Sequence, residues 1–171
     1  MKPKRRFAWA TEFACAFLLL AATARAADAP QVERAFADSD GTVHVALAGG
    51  KAATIRKQKD QVGADDIKIA PDHRTAGWTQ LYPNCCTSYP IPLTIAVYRD
   101  GRVRRRFRPG LMIYRWQFWD DGRQVAFCSG TVHSDLGVTC ELHDVASGRR
   151  LEIFDGLPEE HSPDWAQGLR R

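Results

Sequence analysis

Thiol and metal chemistry draw on the residue types found at Cys85 and Cys86, which are adjacent, and at Cys128, His133, Asp135, Cys140 and His143. Thiol oxidoreductases use a C-x-x-C pair at a helix N-terminus, where the dipole lowers the thiol pKa. Nothing around Cys85-Cys86 supplies such a helix, so a structural role is preferred over a redox one. Cys128, His133, Cys140 and His143 are of the right types for zinc. Cys140 and His143, however, stand three apart on a strand and point to opposite faces, so the quartet cannot converge without a bulge and no metal site is expected. There is no G-x-S-x-G elbow and no H-E-x-x-H, and Asp120-Asp121 reads as a turn and not as a catalytic dyad. No cofactor is implied.

Two further groups suit binding better than catalysis. Tyr82-Pro83-Asn84-Cys85-Cys86-Thr87-Ser88-Tyr89-Pro90 holds paired aromatics and cysteines where a plain connection carries Gly, Ser and Asn. Tyr82, Asn84 and Tyr89 are therefore either a preorganised recognition surface or a lid whose tyrosines tuck inward over the core. The second group is the arginine run. In a regular strand Arg102, Arg104, Arg106 and Arg108 form a basic ridge on one face, with Val103, Arg105 and Phe107 on the other. Such a ridge could meet an anionic lipid, a glycan or a partner protein, but an edge strand whose charge prevents further pairing is the preferred reading.

These residues are positioned by a hairpin that occurs twice. Residues 67–78 (I-K-I-A-P-D-H-R-T-A-G-W) and 116–127 (W-Q-F-W-D-D-G-R-Q-V-A-F) align at one constant offset, matching Asp72 with Asp121, Arg74 with Arg123 and Trp78 with Phe127. The phrase I-A-P-D-H-R-T-A-G-W resembles the hairpin of the TolB-type β-propeller repeat, a relative of the WD repeat, and D-D-G-R-Q-V-A-F resembles the same hairpin without its proline. Leu142–Arg149 and the shorter Val97–Arg102 are similar to that family's closing strand and its D-x-x-x-G-[KR] turn. The resemblance covers roughly residues 60–155. It implies a propeller-like fold and leaves function open, since such repeats serve as binding platforms, enzyme gates and scaffolds.

At the N-terminus Lys2, Lys4, Arg5 and Arg6 precede the apolar run Phe13–Ala22, and Ala24-Arg25-Ala26 offers a small-residue cleavage site. This pattern predicts a secretory signal over residues 1–26. The apolar run falls well short of the roughly 20 residues that span a bilayer, so no transmembrane span is expected after cleavage and the location is periplasmic or secreted. The whole chain has a formal net charge of +4. Cleavage removes five basic residues and one acidic residue, which leaves equal numbers of the two, so the basic excess belongs to the targeting segment and a nucleic-acid role is not expected.

The remainder, 27–171, reads as one β domain. A partial first blade occupies 27–60, full repeats occupy 61–108 and 109–156, and a C-terminal cap occupies 157–171. In the cap, Ser162 is expected to cap a short helix with Pro163 at its first position, docking Trp165 on the sheets. The expected fold is all-β, an antiparallel meander of propeller-like blades with a short C-terminal helix. Closed propellers need about four or more blades, so this one stays open, as a capped monomer or, alternatively, as an oligomer that completes a ring. Trp78, Trp116, Phe118, Trp119, Phe127 and Trp165 are its expected core or capping aromatics.

Four cysteines in an exported chain allow three pairings. A Cys128–Cys140 bond closing the Ser129–Thr139 loop, together with a Cys85–Cys86 bridge, is favoured, and cross-loop pairings remain as alternatives. By repeat symmetry the Tyr82–Tyr89 loop and the Ser129–Gly137 loop, with His133 and Asp135, share one edge. The expected function is non-enzymatic binding of an envelope protein or glycan through that edge. The alternative is a small exported hydrolase or thiol-redox protein using the Cys85-Cys86 and His133/Asp135 loops.

Overall fold

The computed structural model describes residues 30–85, 87–132 and 137–170. The predicted signal segment, Cys86, His133 and Asp135 therefore lie outside the described residues. Three antiparallel meanders follow one another along the chain. The first sheet contains β1 (Val32–Ala37), β2 (Val43–Leu47) and β3 (Lys51–Ile55) in that order. The second contains β4 (Gly63–Ile69), β5 (Thr75–Tyr82), β6 (Ile91–Arg99) and β7 (Arg102–Phe107), and the third β8 (Met112–Trp119), β9 (Gln124–Gly130), β10 (Thr139–Asp144) and β11 (Arg150–Asp155). A single turn of helix, α1 (Asp164–Gln167), ends the described chain. This is an open, propeller-like all-β fold.

The sheets stack through two apolar layers, and the terminal helix closes a third. Val32, Val43, Val45 and Leu47 of the first sheet meet Ala76, Trp78, Ala96 and Tyr98 of the second. Ile95, Val97 and Phe107, on the opposite face of the second sheet, meet Ile113, Trp116, Val125 and Phe127 of the third. Ala126, Cys128, Cys140 and Leu142 then take Trp165, Ala166 and Leu169 of the C-terminal segment. Strand pleat explains the assignment: successive residues alternate between faces, so Trp78 and Phe127 each face the preceding sheet, while their neighbours Gly77 and Ala126 face the following layer.

The C-terminal cap is fixed by polar contacts as well as by burial. The Trp165 indole donates to Glu152 at 2.7 Å, and the Gln117 amide donates to the Trp165 carbonyl at 2.8 Å. Ser162 does not cap the helix as expected. Pro163 occupies the cap position, and the Ser162 hydroxyl instead accepts from the Glu159 amide at 2.8 Å. Trp119 likewise differs from expectation: it ends β8 beside the tip turn and is 38 % exposed, outside the core. Trp78, Trp116, Phe127 and Trp165 are buried and Phe118 packs against the second layer.

Candidate functional site

Antiparallel alternation sends the connections of the stack to two opposite edges, and one of these is occupied by its own turn chemistry. At the β4–β5 tip the Asp72 carboxylate accepts from the Arg74 and Thr75 amides, both at 2.9 Å, and from the Thr75 hydroxyl at 2.8 Å. Arg99 pairs with Asp72 at 3.6 Å and donates to the Gly122 carbonyl of the next sheet at 3.3 Å. Asp120, Asp121 and Gly122 all adopt left-handed backbone, with φ of 50°, 50° and 76°. Short polar residues and glycine tolerate that conformation. A Cβ at Gly122 would lie 2.7 Å from the Ala70 side chain, so the two tips interlock closely. The Asp72 and Asp121 hairpins thus set turns and join sheets.

The arginine run does not form the expected ridge. β7 is an edge strand, but its pairing with β6 shifts between Val97↔Arg105 and Tyr98↔Val103, so Arg104 is an extra bulged residue. A bulge inverts the pleat beyond it: Arg106 shares its face with Val103, whereas Arg102 lies with Arg105 and Phe107 on the other. The four arginines therefore do not present one row. Arg105 reaches across to the third sheet, donating to the Val145 carbonyl at 3.2 Å and to the Ala146 carbonyl.

At the opposite edge Tyr82 and Arg108 come together. Tyr82 ends β5, pairs with Ile91 and is 8 % exposed. The Arg108 guanidinium lies 5.5 Å from the centre of the Tyr82 ring, donates to its hydroxyl at 3.3 Å, and donates through Nε to Thr94 at 3.2 Å. With Lys59, Asp60, Leu93 and Gly110 they line a cleft of about 350 Å³. Three segments build it: the β3–β4 connection, the start of β6 with the end of β5, and the β7–β8 connection. Large apolar side chains stand exposed on these two connections, at Val62 and Leu111, and on the β5–β6 loop, at Tyr89.

The two tyrosines of the unusual loop thus have different fates, Tyr82 inward and Tyr89 53 % exposed. Asn84 turns within the loop, donating to the Thr87 hydroxyl at 3.2 Å, and that hydroxyl donates to the Tyr89 carbonyl at 2.6 Å. Cys85 is exposed. Cys128 and Cys140 are cross-strand partners joined by a disulfide, which settles their pairing.

His143 does not line the cleft. It stacks on Phe127 at 5.3 Å and meets Glu141 at 2.7 Å. Among the described residues no cluster of His, Cys, Asp or Glu is arranged to hold a metal, and no helix is long and apolar enough to cross a membrane. Lys59, Asp60, Leu93 and Gly110 carried no signal as cleft residues in the sequence. Lys59 and Gly110 stand in separate connections that only sheet stacking brings together.

No family model matches this chain, and no curated protein matches it. Among solved structures it is similar to the dihydro-heme d1 dehydrogenase NirN in complex with DHE, with 10 % sequence identity and a TM-score of 0.30. That similarity covers 74 % of this chain and 47 % of the other, so the chain spans just under half of that protein's length. A likeness at this level speaks to neither activity nor ligand.

Proposed function

We propose that this chain is an exported, non-enzymatic binding module of the cell envelope, built from TolB-type repeats, that engages its partner through the edge carrying Tyr82, Tyr89 and Arg108. The observation that carries this reading is the cleft itself. Rigid strands of the second sheet hold an aromatic ring and a guanidinium in one place, and solvent-exposed apolar side chains stand on the surrounding connections. Loops on a rigid β scaffold are where recognition residues collect. The signal-like N-terminus supports export, and the Cys128–Cys140 bond fits the oxidising compartments in which disulfides persist.

Site-specific photocrosslinking in whole cells tests the reading. A crosslinker at position 89 is expected to trap an envelope species that excess unlabelled chain competes away and Arg108→Ala chain does not. A crosslinker at Arg123, on the opposite edge, is expected to trap nothing that is competed. A competed species trapped only from Arg123 would refute the edge assignment, and a reactive thiol count with turnover on a thiol substrate would refute the non-enzymatic reading.

A further inference from the structure

We infer, resting on that binding reading, that the cleft between Lys59, Tyr82 and Arg108 takes a small organic monocarboxylate with an apolar or aromatic body. Neither Lys59 nor Arg108 belongs to an ion pair among the described residues. Among the described residues the two cations of the lining face one carboxylate, Asp60, and Arg106, close enough to interact with both Arg108 and Tyr82, adds to the positive excess. A carboxylate answers that charge while placing less negative charge beside Asp60 than a phosphate ester or a polyanion would.

Arg108 is held by neutral partners. Its Nε is fixed on Thr94, which is fully buried, and one Nη2 hydrogen on the Tyr82 hydroxyl, leaving Nη1 and the second Nη2 hydrogen as a pair of donors for a ligand. A guanidinium anchored in this way is preorganised for a carboxylate, whose two oxygens match its fork. The Tyr82 ring and Leu93 supply an apolar wall for the rest of the molecule. The cleft volume of about 350 Å³ lies at the small end of ligand sites, which run roughly 300–1,000 Å³, so the ligand is small.

The test is calorimetric and NMR titration of the full chain, as secreted, with benzoate, phenylacetate and hexanoate, each against its uncharged amide and against inorganic phosphate. At least one carboxylate is expected to bind saturably at one site, and its amide about tenfold or more weakly, because the charge-assisted bonds are lost. Arg108→Met is expected to lower affinity about tenfold or more and Lys59→Met by severalfold, while Asp60→Asn tightens binding. Lys59 is exposed, so Lys59→Met leaves the fold intact even where Arg108→Met loosens the cleft.

The assignment is overturned if no carboxylate is preferred to its amide, if phosphate displaces the carboxylate, or if both cation variants bind as wild type does. Absent carboxylate binding with an intact, competed crosslink at position 89 removes this assignment alone. Retained carboxylate binding with no competed crosslink removes the envelope-partner reading alone.

Discussion

Replacing Gly77 by alanine tests the sheet-to-sheet packing directly. A Cβ at this position would lie 2.8 Å from Trp116 Cη2, 2.9 Å from Phe118 Cζ and 3.2 Å from the Ala96 carbonyl oxygen. Carbon atoms pack best at about 3.5–4.0 Å, so the methyl must displace two rings of the third sheet. Trp116 is 1 % exposed, lies edge-on to Phe118 at 5.1 Å, and carries the Lys68 ammonium 4.6 Å from its ring, which leaves it no room to retreat. Phe118 is only half-buried and can give way, which keeps the cost within the usual overpacking range of about 1–3 kcal/mol. Alanine recovers about 0.4–1 kcal/mol by restricting the unfolded chain. The net expectation is a loss of about 1–2 kcal/mol, read as a lower urea midpoint at unchanged m-value by tryptophan fluorescence. Ala126→Gly, the reverse change at the matching position of the second repeat, is also expected to destabilise, by about 1 kcal/mol, because the layer beneath it is built for a methyl group. Gly77→Ala at or above wild-type stability would refute the packing account.

Tyr98→Phe is expected to stabilise the protein by about 1 kcal/mol at neutral pH, because the Tyr98 hydroxyl is buried with no hydrogen-bond partner among the described residues. Burial also raises its pKa above the ordinary 10.0, so the group's contribution is intact below that value and is lost as pH rises toward the folded pKa. Alkaline melting curves should show that loss in the wild type and not in the variant. Cys128→Ala with Cys140→Ala removes a cross-link spanning 12 residues and is expected to cost about 3 kcal/mol, with faster amide exchange over Asp164–Gln167, the helix packed on the disulfide layer. Tyr82→Ala should lower stability by about 2–4 kcal/mol, since the ring is buried, whereas Tyr89→Ala should stay within about 0.5 kcal/mol. Equal effects in thermal melts would contradict the split between an inward and an outward tyrosine.

Much of this fold is legible in the chain because its determinants are local. Alternating apolar residues broken by Asp, Gly and Pro define the strands and hairpins from β1 to β11, and the match between 67–78 and 116–127 marks the same hairpin in consecutive sheets. The Cys128–Cys140 bond is nearly local too, since one hairpin brings both residues opposite each other. Side-chain direction along the arginine run is not local. It depends on a bulge at Arg104, which arises only when β7 pairs with β6 and which separates Arg102 from Arg106. The unequal burial of Tyr82 and Tyr89 and the exposure of Trp119 depend on which neighbouring element covers each ring, and composition cannot specify that. The cleft is the clearest case. Lys59, Tyr82 and Arg108 belong to connections and strand ends far apart in sequence, and no spacing rule relates them. Periodicity determined the strands, and the stacking of one twisted sheet on the next decided which of their ends meet.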